Sequence, residues 1–193
     1  MNKSPTFYSE DNKGNKLRRL IVLSDLWGKS KSDWFAQYET ILKSQYEIIF
    51  YDCRELAEIH LSDLTEDQIH QQFTNGGIEK AVKALLENEK ETVDVLGFSI
   101  GGLIGWKTIF EGLKVENLFA LSATRLRYEK QHPNCKINLF YAENDQYKPD
   151  EEWFTELEIE MNIYKNQENY FYSNKEIVME VTKVIIDQTK LKR

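Results

Sequence analysis

Thr92-Val93-Asp94-Val95-Leu96-Gly97-Phe98-Ser99-Ile100-Gly101-Gly102 is the stretch on which the reading of this chain turns. Val93, Val95 and Leu96 favour a buried extended strand. Beyond them Leu103, Trp106, Phe110 and Leu113 recur at helical spacing. Strand, sharp turn and helix therefore follow one another, with Ser99 at the turn. So tight a turn forces the serine backbone into a strained conformation, and the residues two before and two after it must be small because strand and helix converge there. Gly97 and Gly101 occupy those positions. A Gly-x-Ser-x-Gly alone is common; set between a strand and a helix it specifies a hydroxyl presented at the strand's end.

Outward from this stretch the chain alternates. Before it, the pattern predicts a short strand and turn over 6–15 and a strand over 20–24. An amphipathic helix follows over 32–45, with Trp34, Tyr38, Ile41 and Leu42 on one face and Ser32 as its cap. Then come a strand over 46–52, a loop over 53–65, and a helix from about 66 to 73 that breaks at Asn75-Gly76-Gly77 and resumes over 78–89. After the central helix the pattern predicts strands over 116–122 and 135–142, a short helix near 149–157, a strand near 160–164 and a helix over 175–189. Such alternation specifies an α/β fold, a mainly parallel twisted sheet of about six to seven strands with helices on both faces. Ligands of such sheets gather at the carboxyl ends of the strands, so chemistry is expected in the loops that follow them.

A length of 193 residues fits one domain, 1–193. Hydrophobic residues at 41% and charged residues at 30% describe a globular chain rather than a disordered one. A formal net charge of −7 argues against nucleic acid or an anionic membrane as partner, since both need a basic footprint. No apolar run approaches the length that spans a bilayer. Cys53 and Cys135 lack metal-ligand spacing, and Met1-Asn2-Lys3-Ser4-Pro5 lacks the apolar stretch of a secretory signal. The expectation is a reduced, cytoplasmic protein with no metal or other cofactor, acting on a small-molecule or acyl substrate. Its oligomeric state is left open.

These residues resemble the α/β-hydrolase superfamily, over nearly the whole chain in element order. The resemblance implies that Ser99 is the nucleophile of a nucleophile elbow and that Asp145, in Tyr141-Ala142-Glu143-Asn144-Asp145, is the acid after the penultimate strand. It also implies a histidine in the loop after the last strand, and the residues there are Lys165-Asn166-Gln167-Glu168-Asn169-Tyr170-Phe171-Tyr172. Setting Phe171-Tyr172 against the aromatic pair that often trails that histidine puts Asn169 in its place. Asparagine has no basic site near neutral pH, and a serine hydroxyl is a poor nucleophile until a base takes its proton. His60, in the loop after the second predicted strand, stands on the correct edge as an alternative base. His70, in a helical segment, and His132, before the fifth strand, read as solvated residues. Asp145, Glu143 and Asp52 also read as turn residues at strand ends.

The resemblance further implies an oxyanion hole from the Ile100 amide and, with Trp27-Gly28 set against the family's aromatic-glycine pair, the Trp27 amide. Asp25 then stands where a histidine is common, and a carboxylate there opposes catalysis unless it points away or is neutralised. Arg54, Arg125 and Arg127 follow strands on the same edge and could neutralise it or bind an anionic substrate group. Asp25, Phe98, Arg125 and Arg127 are accordingly the candidate substrate-binding residues. The connection 123–134 is too short for a lid domain, which implies a shallow, open site. Two functions follow. One is an esterase or thioesterase acting on a small or carrier-bound substrate through Ser99 with an atypical base. The other is a catalytically degenerate relative that keeps the pocket as a ligand- or partner-binding module.

Overall fold

The computed structural model describes residues 17–60 and 64–190. Its elements are β1 (Arg18–Leu23), α1 (Phe35–Leu42), β2 (Tyr46–Tyr51), α2 (Cys53–Leu56), α3 (Glu66–Gln72), α4 (Ile78–Asn88), β3 (Val93–Phe98), α5 (Ile100–Phe110), β4 (Val115–Leu121), β5 (Lys136–Ala142), α6 (Glu151–Glu156), β6 (Met161–Tyr164) and α7 (Lys175–Lys190). The strands form one six-stranded sheet in the order β2-β1-β3-β4-β5-β6, and each neighbouring pair is parallel. The strand and turn expected over 6–15 lie outside the described residues.

A parallel sheet buries both faces, so its strands are apolar on both. Leu20 and Val22 of β1 point into one core with α1 and α7, where Tyr38, Leu42, Val181 and Ile185 are buried. Ile21 and Leu23 point into the other, against Ile69, Val82, Leu85, Leu103 and Trp106 from α3, α4 and α5. The amino ends of the strands are closed by a polar cluster. Asp94 accepts hydrogen bonds from Arg18 (2.8 Å), the Tyr46 hydroxyl (3.0 Å) and the Asn117 amide group (2.6 Å). The carboxyl ends, where Ser99 stands, are left for chemistry.

Two local expectations are corrected. Ser32 does not cap α1: its hydroxyl donates back to the Gly28 carbonyl at 2.9 Å, and α1 starts later, at Phe35. The segment after β2 is not all loop, because the Asp52 side chain accepts from the Arg54 and Glu55 amides and nucleates the one-turn helix α2. Phe110 ends α5 and is 44% exposed. The break expected at Asn75-Gly76-Gly77 is present, as a wide turn over Phe73–Gly77 in which Gly76 takes φ 103° between α3 and α4. That turn fixes the direction of α3, which runs beside the Ser99 end of the sheet.

Candidate active site

Ser99 leaves β3 with φ 49° and ψ −118°, a conformation a non-glycine residue adopts only when its surroundings impose it. The two flanking glycines impose it. A Cβ on Gly97 would sit 2.7 Å from Gly102 Cα, and one on Gly101 would sit 2.5 Å from the Ser24 carbonyl oxygen. The Ser99 amide donates to the Leu121 carbonyl at 2.9 Å, which fixes the elbow to β4. Ser99 itself is 5% exposed. Its hydroxyl makes no hydrogen bond among the described residues.

Ser99 opens into a cavity of about 120 Å³, shared with Leu26, His70, Ile100, Arg125 and Asn169. Glu66, Asp67, His70 and Phe73 of α3 and its following turn supply one wall. The site is therefore walled, against the expectation of a shallow, open one, and the wall is α3 rather than a lid after β4. Glu66, His70 and Phe73, spaced by four and three residues, fall on one helix face. That periodicity, read for polar as well as apolar residues, was the signal in the sequence that could have brought His70 to the site. A larger groove of about 700 Å³ lies elsewhere, between Val82, Leu86, Phe110 and Tyr128, and contains neither Ser99 nor a histidine.

The candidate bases separate clearly. His60 is exposed and outside the cavity, and so is His132. His70, expected to be solvated, is half-buried in the cavity. Burial lowers its pKa below the usual histidine value, Arg125 and Arg127 add to the lowering, and Asp67 and Glu66 oppose it. A neutral imidazole results near pH 7. Asn169 lines the cavity, but its Oδ1 accepts the Tyr170 amide at 3.0 Å, and it bridges neither Ser99 nor Asp145.

Asp145 is buried, with Oδ1 accepting the Tyr147 amide at 2.9 Å. Its Oδ2 is buried with no partner among the described residues, an acceptor left open at the end of β5. Glu143 serves the turn, accepting the Asn166 amide at 3.0 Å, and Asp52 holds the Lys29 amide at 2.6 Å besides capping α2.

At the loop after β1 the expected roles change. Asp25 is buried, and its carboxylate accepts the Trp27 amide at 2.9 Å and the Tyr172 hydroxyl at 3.2 Å. No arginine pairs with it among the described residues. Burial pushes its pKa up to about 6. The Trp27 amide is thus occupied, and Asp25 is a turn-forming residue turned away from the cavity rather than a substrate contact. The Leu26 amide makes no hydrogen bond among the described residues and belongs to a residue lining the cavity. Ile100 is the first residue of α5, so its N–H has no acceptor within the helix. Phe98 also moves out of the site: it is fully buried on the opposite face, packed on Trp34 and Tyr172 at centroid distances of 4.5 and 5.2 Å. The alternation of side chains along β3 sends it there.

Arg125 and Arg127 both line the cavity. Arg127 donates to the Tyr147 carbonyl at 3.0 Å and the Tyr128 hydroxyl at 3.1 Å. Arg54 does not line it. No cluster of three or more His, Cys, Asp or Glu side chains suited to a metal ion occurs among the described residues, and no helix among them is long and apolar enough to cross a membrane.

Solved structures similar to this one span the full chain. A carboxylesterase structure from Nitrososphaera gargenis superposes with TM-score 0.67 at 12% identity, covering 100% of this chain and 99% of that one. An α/β-hydrolase enzyme from the metagenome of lagoon sediments at Mar Chica, Morocco, gives TM-score 0.65 at 14% identity, covering 99% and 98%. This is the α/β-hydrolase fold. An α/β serine hydrolase homologue from Coxiella burnetii, at TM-score 0.60 and 14% identity, covers 95% of this chain and 98% of its own. No protein-family model and no curated protein matches the chain at the level of sequence, so the likeness is one of fold. Within the α/β-hydrolase fold Ser99 occupies the elbow and Asp145 follows β5. After β6, Asn169 and Tyr170 line the cavity, and no histidine from that loop does.

Proposed function

We propose that the protein is a serine hydrolase of small esters or thioesters, with Ser99 as nucleophile and His70 as general base. The observation that carries this reading is one cavity holding the strained elbow serine together with a half-buried histidine whose pKa is lowered. In this reading Ser99 Oγ attacks the substrate carbonyl while His70 takes the hydroxyl proton. The carbonyl oxygen becomes an oxyanion, stabilised by the Ile100 and Leu26 amides. Collapse expels the alcohol or thiol with the proton that His70 returns, leaving an acyl-serine. Water, deprotonated by His70, then releases the acid and restores Ser99. Asp145, with Oδ2 unpartnered, is proposed to orient polar groups at the cavity's edge rather than the base itself.

Labelling with a fluorophosphonate probe tests the nucleophile: a stoichiometric adduct on Ser99, absent in Ser99→Ala, is expected. No adduct between pH 6 and 9 would overturn the reading. A second reading is favoured by the free Ser99 hydroxyl and by Asn169 standing at the histidine position. In it the protein is a catalytically degenerate binder whose ligand affinity survives Ser99→Ala. Ester turnover that Ser99→Ala abolishes would refute that reading.

A further inference from the structure

Arg125 lines the cavity, and the hydrolytic steps leave its charge unused. Its guanidinium makes no hydrogen bond or ion pair among the described residues, and its only side-chain partner is the Tyr128 ring at 5.1 Å. Arg127, by contrast, donates to the Tyr147 carbonyl and the Tyr128 hydroxyl. Arg125 is also tethered to the elbow. The preceding residue, Thr124, donates its amide to the Ser99 carbonyl at 3.3 Å, and Arg125 itself turns the chain with φ 69°. The charge is felt across the cavity, where Arg125 contributes to the lowering of His70. Five N–H donors in a planar fork, held beside the nucleophile without an acceptor, form half of a bidentate pair with a carboxylate.

We infer that Arg125 is the anion-recognition residue of the Ser99 cavity and that the substrate is a short ester or thioester bearing a carboxylate. The cavity is small, about 120 Å³, which suits a short carboxylate arm beside the scissile carbonyl. Glu66 and Asp67, from α3, also line the cavity and repel a carboxylate that approaches them, which leaves Arg125 as the side it can approach.

The inference rests on the hydrolase reading for its substrate but is testable apart from it. Rates would be compared for p-nitrophenyl hemisuccinate against p-nitrophenyl butyrate, with the carboxylate on the acyl side, and for 4-acetoxybenzoate against phenyl acetate, with it on the alcohol side. The expected result is a preference in kcat/KM of at least tenfold for the charged member of one pair. That preference should fall to about one in Arg125→Gln and be partly kept in Arg125→Lys, both variants being checked for native circular dichroism. Binding of monomethyl succinate to Ser99→Ala by calorimetry, against Ser99→Ala/Arg125→Gln, reads the same contact without turnover. Turnover with no charge preference, or a preference that Arg125→Gln leaves intact, overturns the inference and spares the hydrolase. Binding lost with Arg125 but no turnover of any ester upholds the anion site and overturns the hydrolase. Neither binding nor preference overturns the anion site.

Discussion

Two titrating residues near the cavity carry opposite consequences. His70 is lowered by burial first and by Arg125 next, so as base it remains deprotonated to a pH below the usual 6.5. The acid limb of kcat/KM is therefore expected below that value. Arg125→Gln removes a positive charge, raises His70 and moves the limb to higher pH; a pH–rate profile with a neutral ester reads this. His70→Asn should reduce kcat by about 10² to 10⁴-fold, the range of general-base catalysis, while fluorophosphonate labelling slows in parallel. Asp25 bears on stability instead. Its native pKa of about 6 lies above the usual 3.8 because burial disfavours the charge. Between those values the native state holds a proton that the unfolded chain has released, so stability falls as pH rises through the window and levels off above it. Asp25→Asn should flatten that slope, which amounts to on the order of 2–3 kcal/mol in urea titrations from pH 4 to 6.

At the scale of elements the elbow is the most constrained turn in the chain. Gly101→Ala would drive a Cβ against the Ser24 and Leu23 carbonyls at 2.5 and 2.6 Å, which are backbone atoms with nowhere to go. A loss of about 2–3 kcal/mol is expected, visible as a lower Tm together with loss of labelling at Ser99. Much of this was legible beforehand, because the elbow needs small residues at fixed offsets and those offsets can be counted. The parallel sheet was legible too, since β3 and β4 are apolar on both faces. The wall of the site was not. α3 has a single buried residue, Ile69, so its apolar signal is weak, and His70 read as solvated. Trp27 was misassigned for a similar reason: that its amide is held by Asp25 depends on a two-residue turn, which spacing alone does not specify.

Across the whole molecule the two ends of the sheet divide the labour. The amino end is polar and gathered on one carboxylate, with Arg18, Tyr46 and Asn117 all donating to Asp94. Removing the cation there, as in Arg18→Met, leaves a buried carboxylate without its ion pair and is expected to cost about 3–5 kcal/mol, measured by chemical denaturation, without altering the pH profile of turnover. The carboxyl end instead keeps groups unpaired: the Ser99 hydroxyl, Asp145 Oδ2 and the Arg125 guanidinium. The single anchor of α3 ties these halves to motion. A short helix held by Ile69 and the turn at Phe73 is a natural candidate for local opening well below the global unfolding free energy. Undocking would carry His70 away from Ser99 while the sheet stayed intact. The protein would then have a thermal optimum for turnover below its melting temperature, and α3 amides would exchange hydrogen faster than those of β3 under native conditions.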